Sequence, residues 1–147
     1  MDPYVSIITL GCPDVAAARR FYVDGLGWAP VMEVADEVVF VQVGKGIALA
    51  LWRADALAED RGRPVGSLAD APVALAHNVG TAEEVAEVIA AAEAAGGTVL
   101  KPAAPAFFGG VQGYFADPDG FSWEVAWNPG WHVAEDGTVS LAGPPPG

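Results

Sequence analysis

The same order of sequence signals runs twice along this 147-residue chain, and that repetition constrains its fold more than any single motif. The run Val5-Ser6-Ile7-Ile8-Thr9-Leu10 is apolar and β-branched and predicts a strand; Gly11-Cys12-Pro13 breaks it, and Asp14 can cap a helix. Val15, Ala18, Phe21 and Tyr22 then recur at helical spacing, with Arg19 and Arg20 off the stripe and Gly25 and Gly27 as its stop. A strand near residues 31–34 follows, then a hairpin of residues 38–43 and 47–52 around Gly44-Lys45-Gly46. Residues 53–72 turn to Ala, Asp, Gly, Arg and Pro and read as a linker with one helical turn at 54–58. After it the order returns. Residues 73–79 predict a strand, Thr81-Ala82-Glu83-Glu84 a capping box, and Val85, Val88, Ile89 and Ala92 a helical stripe ended by Gly96-Gly97. Val99-Leu100 resumes a strand, and residues 113–116 and 122–127 form a hairpin about Asp117-Pro118-Asp119-Gly120.

The expectation is therefore an α+β protein of two βαβββ modules, residues 1–52 and 73–129, joined by the linker 53–72 and followed by a tail, 130–147. Each module has one helix to cover one face of a four-stranded sheet. The other face is left to curve, as part of a mixed sheet, around a small-molecule cleft. In the tail Gly, Pro and polar residues dominate, and residues 143–147 read as a loose end.

Seven Lys and Arg against nineteen Asp and Glu give a net charge of −12, a field that repels phosphate backbones and anionic membranes and favours cationic small molecules. Neither nucleic acid nor a membrane is expected as a partner. No apolar run approaches the ~20 residues of a membrane span, and Met1-Asp2-Pro3-Tyr4 lacks the basic and apolar regions of a signal peptide, so a cytoplasmic protein is expected. The one cysteine, Cys12, excludes an internal disulfide and reads as a small buried residue, not a nucleophile.

Several residues carry a family likeness: Ile7 ahead of Asp14, then Phe21-Tyr22 and Leu26-Gly27-Trp28, and later Asp117-Pro118-Asp119-Gly120 ahead of Glu124. Together they resemble the vicinal oxygen chelate superfamily of glyoxalases, bleomycin-resistance proteins and extradiol dioxygenases, over residues 5 to about 129. The resemblance implies a divalent ion held by four inward positions on the first, fourth, fifth and eighth strands. Here those positions fall on Ile7, on residues 48–50, on Ala74 and on Glu124. Isoleucine, alanine and leucine offer no donor to a metal, so neither a metal nor another cofactor is expected. The family's habit of building clefts from paired modules implies a homodimer.

Alternation along the last strand puts Glu124 and Ala126 on the face opposite Trp123, Val125 and Trp127, which would aim Glu124 into the cleft. Asn78 shares a face with Ala74 and Ala76 and is a second cleft candidate, while His77 falls with Leu75 and Val79 on the helix side. His132 has no ligand cluster near it in sequence. Tyr114, Trp52 and the glycine-flanked pair Phe107-Phe108 are candidate ligand-binding aromatics. Three readings follow. The first is a bleomycin-resistance-like protein that sequesters an aromatic or cationic molecule without metal. The second is a metal-dependent lyase, isomerase or dioxygenase that adds His77 or Gln42 to Glu124 as ligands. The third is a metal-free enzyme with Glu124 as general base and Asn78 or Tyr114 polarising the substrate.

Overall fold

The computed structural model describes residues 1, 5–62, 66 and 73–141. Strand β1 (Ile7–Cys12) leads into helix α1 (Val15–Arg19), whose first turn is closed by Asp14 accepting from the Ala17 amide. The helix continues as a widened π turn over Arg20–Gly25, where Leu26 N–H donates to Phe21 C=O and Trp28 N–H to Tyr22 C=O. Strands β2 (Pro30–Val34), β3 (Val38–Gly44) and β4 (Ile47–Arg53) complete a four-stranded sheet ordered β1-β4-β3-β2. Here β1 runs parallel to β4 and the other pairs are antiparallel.

Helix α2 (Ala54–Asp60) occupies the start of the expected linker and lies over Gly11, where an added Cβ would meet the Leu57 side chain at 3.1 Å. Residues 63–65, 67–72 and 142–147, which include the rest of the linker and the proline-rich end, lie outside the described residues.

The second half repeats the plan. Strand β5 (Ala74–Asn78) is followed by helix α3 (Ala82–Ala94), opened by the expected capping box between Thr81 and Glu84. Then come β6 (Thr98–Pro105), β7 (Val111–Ala116) and β8 (Ser122–Trp127), in the order β5-β8-β7-β6 with β5 parallel to β8. Among the described residues no helix is long and apolar enough to cross a membrane.

One core joins the halves through their helix-bearing faces. Leu10, Val39, Leu49 and Leu51 of the first sheet share a cluster with Phe21 and Tyr22, with Val85 and Ile89 of α3, and with Phe115, Trp123 and Val125 of the second sheet. Gly25 packs so closely on α3 that an added Cβ would come within 2.6 Å of the Ala95 Cβ. The helix sides contribute to this shared core, and the opposite face of each sheet is here called open. Between the halves there remains an open groove of about 1000 Å³, lined by Val41, Gln42 and Leu49 of the first sheet and by Ala74, Ala76 and His77 of the second.

The tail departs from expectation. Strands β9 (Trp131–Val133) and β10 (Val139–Leu141) form an antiparallel hairpin. Its signal is short: apolar-polar-apolar triplets flank Asp136-Gly137, with Gly137 at φ 91° and Asp136 accepting from the Thr138 amide.

Candidate functional site

The open face of the second sheet gathers polar side chains. Strand β8 alternates as expected, with Trp123 and Val125 in the core and Glu124 half-buried on the other face. Register pairs Glu124 with Tyr114 on β7 and with Ala76 on β5, and pairs Ala126 with Gln112 and Asn78. Glu124, Tyr114 and Asn78 therefore share one face, together with Gln112. The Gln112 amide, oriented with its NH2 toward the carboxylate, donates to Glu124 Oε1 at 2.9 Å while its oxygen accepts from Lys101 Nζ at 3.1 Å. Burial first, then the Glu124 charge and hydrogen bonding to it, raises the Tyr114 phenol above its ordinary pKa. The result is a carboxylate with one oxygen tied to a cation through an amide and a protonated phenol at its side. Such a pair can accept from a ligand's N–H or O–H and donate to its acceptor.

Gln112 was within reach of strand alternation back from Tyr114. Lys101 was not, because β6 slips register between Val99 and Lys101 and again before Ala104.

The other candidates lie elsewhere. Trp52 is on the open face of the first sheet, in register with Gly11 and Val38. Phe107 and Phe108 sit at the β6–β7 turn with ring centroids 5.4 Å apart, near the end of the sheet where Val111 pairs with Trp127. Phe107 is 96% exposed.

The family's metal positions do not form a ligand set. Ile7 faces Ala48 across β1 and β4, and Glu124 faces Ala76, with Ala74 one pair further along opposite Ser122. One carboxylate among aliphatic side chains cannot replace the hydration shell of a divalent ion. Among the described residues no three His, Cys, Asp or Glu gather at one place. His77 pairs with Val125 and so leaves β5 on the helix side, away from Glu124. There it lines an open groove of about 1000 Å³ between the halves, with Trp28, Leu49 and Trp123. Gln42 belongs to the first sheet, opposite Ala48, and its amide donates to Gly44 C=O at 3.1 Å. Glu124 therefore has neither His77 nor Gln42 as a co-ligand within one chain. His132 is exposed on β9, paired with Ser140.

A second polar cluster lies in the seam between the halves. Tyr22 Oη donates to Asp117 Oδ2 at 2.6 Å and accepts from Trp123 Nε1 at 2.9 Å. Burial, followed by the Asp117 charge, pushes the Tyr22 phenol far above its usual pKa. Cys12, 1% exposed, donates weakly to Leu10 C=O at 3.6 Å, and burial followed by Asp119 drives its thiol pKa strongly upward. A buried, protonated thiol is inert as a nucleophile. Tyr22, Asp117 and Cys12 are buried where the modules meet.

A family model described as the Glyoxalase/Bleomycin resistance protein/Dioxygenase superfamily matches residues 5–125. A glyoxalase-related enzyme from Fulvimarina pelagi is 46% identical, with a TM-score of 0.86, 95% of this chain and 99% of that one being covered. Two others are similar in fold. A glyoxalase/bleomycin resistance protein/dioxygenase from Nocardioides has a TM-score of 0.72 at 24% identity, with 92% and 90% of the chains covered. A lactoylglutathione lyase from Agrobacterium tumefaciens has a TM-score of 0.67 at 23% identity, with 86% and 95% covered. No curated protein matches the chain.

Proposed function

The chain belongs to the Glyoxalase/Bleomycin resistance protein/Dioxygenase superfamily, and from that premise we propose that it binds a small aromatic or cationic molecule without a metal, in a cleft completed by a second copy. The observation that carries this reading is the open face of the second sheet. The position at which the family resemblance implies a metal ligand holds Glu124, the other positions of that set fall on Ile7, residues 48–50 and Ala74, and the carboxylate accepts instead from Gln112, whose oxygen accepts from Lys101. The Tyr114 phenol lies beside this carboxylate and hydrogen-bonds it, and Asn78 shares the face, so a ligand there would meet a carboxylate, a phenol and an amide together. The net charge of −12 would concentrate a cationic ligand around the protein.

A second copy enters because Trp52 and Glu124 lie on different sheets, each on the face away from the shared core. An isologous dimer that laid one chain's first-sheet face over its partner's second-sheet face would bring an aromatic wall to the carboxylate. Sequestration, of the kind bleomycin-resistance proteins perform, needs no more than this.

A metal-free general-base reaction is the second reading, favoured by the pairing of a carboxylate with a raised phenol. Titration with proflavine, a flat cationic aromatic amine, followed by its fluorescence, tests the binding reading. Saturable binding at one site per cleft is expected, and Glu124→Gln, which keeps shape but deletes charge, should weaken it ~10-fold or more, a loss of ~1.4 kcal/mol. Equal affinity in parent and variant would make Glu124 a structural strand residue and overturn the assignment.

A further inference from the structure

We propose that the groove between the two halves is a second ligand site, separate from the open face that bears Glu124, and that it takes a flat aromatic molecule with one negative charge, such as an aryl carboxylate. The site does not depend on the two-copy cleft, because all the residues that line the groove belong to one chain.

The groove lies where the two helices cover their sheets unequally. Helix α3, of 13 residues, packs on β6, β7 and β8, whereas α1, of 5 residues, packs chiefly on β3 and β4 before the π turn leads the chain to Trp28. On the helix side of the first sheet, Ile8 of β1 pairs with Leu49 of β4, which pairs in turn with Val41 of β3, and all three line the groove with Ile47. Trp28 and Trp123, whose rings meet edge to face at 5.8 Å, line it as well. Aliphatic and indole surface broken by a few polar groups is the lining that encloses a flat apolar molecule, and about 1000 Å³ stands at the upper end of the roughly 300–1,000 Å³ of small-molecule sites.

The polar groups decide the sign of the occupant. Gln42, Lys45 and His77 line the groove, while among the described residues none of the chain's nineteen Asp and Glu does. Lys45 Nζ donates to Glu135 C=O at 2.8 Å, a neutral acceptor, and among the described residues it forms no ion pair, whereas Arg19, Arg20 and Arg53 all do. An ammonium with one donor so engaged keeps others for a carboxylate, and the His77 imidazole on β5 offers a further ring nitrogen. The acidic groups on adjoining elements are engaged elsewhere. Glu33 on β2 pairs with Arg19 at 2.9 Å, Asp117 behind Trp123 accepts from Tyr22, and Glu135 meets Lys45 through its main-chain oxygen. The net charge of −12 opposes an anion at long range, but physiological salt screens it beyond ~8 Å, so the groups lining the groove prevail.

Isothermal titration calorimetry of the full chain with 2-naphthoate, and with the neutral 2-naphthalenemethanol, tests the assignment. The acid should saturate one site per chain with a Kd below ~1 mM and bind ~3-fold or more tightly than the alcohol. Lys45→Gln should remove that preference. Gln42→Glu, which leaves the Lys45–Glu135 tie in place and brings a carboxylate into the groove, should reverse it, so the charge is read even if Lys45→Gln disturbs the β9–β10 turn. Both variants should bind the alcohol as the parent does, and Ala29→Trp, which adds bulk to the lining, should weaken both ligands. Glu124→Gln should leave 2-naphthoate binding unchanged, and 2-naphthoate should not displace proflavine. Absence of saturable binding, or equal affinity for acid and alcohol in the parent, overturns the groove site. Displacement of proflavine, or loss of 2-naphthoate in Glu124→Gln, also overturns it and moves the anion to the second-sheet face. Failure of proflavine alone to bind overturns the open-face reading and leaves the groove site standing.

Discussion

Removing one oxygen atom, by Tyr22→Phe, tests how the two modules are held. Tyr22 is fully buried, and its hydroxyl bridges the Asp117 carboxylate at 2.6 Å and the Trp123 indole N–H at 2.9 Å. The substitution leaves almost no cavity, so the loss is that of two hydrogen bonds. The first is to a buried acid and is worth ~1.5–3 kcal/mol; the second leaves an indole N–H without its acceptor, at ~1 kcal/mol or more. Asp117 is not wholly orphaned, since Oδ1 still accepts from the Asp119 amide at 3.1 Å and the Phe121 amide at 2.8 Å. The expected destabilisation is therefore ~2.5–4 kcal/mol, which for a chain of this size is a fall in Tm of roughly 5–16 °C. Urea unfolding followed by tryptophan fluorescence measures it directly, and an unchanged slope with denaturant would show that the native state has not loosened. The Trp28–Trp123 ring contact, at 5.8 Å between centroids, should report the seam in near-ultraviolet dichroism. A loss below ~1 kcal/mol would refute the argument and mean that the seam is held by apolar packing alone.

Two further outcomes follow from buried acids and the thiol. Asp119 has one buried oxygen without a partner, and its pKa is pushed up to about 6 by burial first and by the Asp117 and Asp14 charges, with the Cys12 thiol partly offsetting them. Because the folded pKa is the higher one, its favourable contribution is complete below about pH 4 and is lost as pH rises through about 6. Relative to Asp119→Asn, the parent should thus lose stability between pH 4 and 7, by ~1 kcal/mol once the partial exposure of the group is discounted; parallel curves would refute this. Cys12, 1% exposed and protonated, should react with Ellman's reagent only on unfolding; rapid modification of the native protein would show that the seam opens locally.

How much of this was legible in the sequence depends on the range of the interaction involved. The capping box at Thr81, the cap at Asp14 and the turn in which Asp117 accepts from the amides of Asp119 and Phe121 all close within a few residues. Their signals are local, and so they could be read. Period two along β8 likewise fixed the face of Glu124. The Tyr22–Asp117 bond spans 95 positions, and no pattern within either module announces it. Lys101 was hidden by register slips on β6, and the β9–β10 hairpin by strands of three residues, too short for alternation to stand out.

The pairing of the modules follows from an asymmetry of bulk that the sequence contains but that alternation alone does not rank. On the helix-bearing faces stand Leu10, Leu49, Leu51, Phe115, Trp123 and Val125, each worth roughly 1.5–3 kcal/mol when buried. On the open faces the matching rows carry Ala48 and Ala50 on β4, and Ala76 and Ala126 beside Glu124. Alanines have little apolar area to gain by burial, so when two sheets compete for one contact the leucine and tryptophan faces meet and the alanine faces turn outward. The alanines that deprive the metal positions of donors thus also leave little bulk on the open faces, the first of which is partly covered by α2. In the two-copy cleft proposed above, the wall opposite Glu124 would come from the partner's first-sheet face.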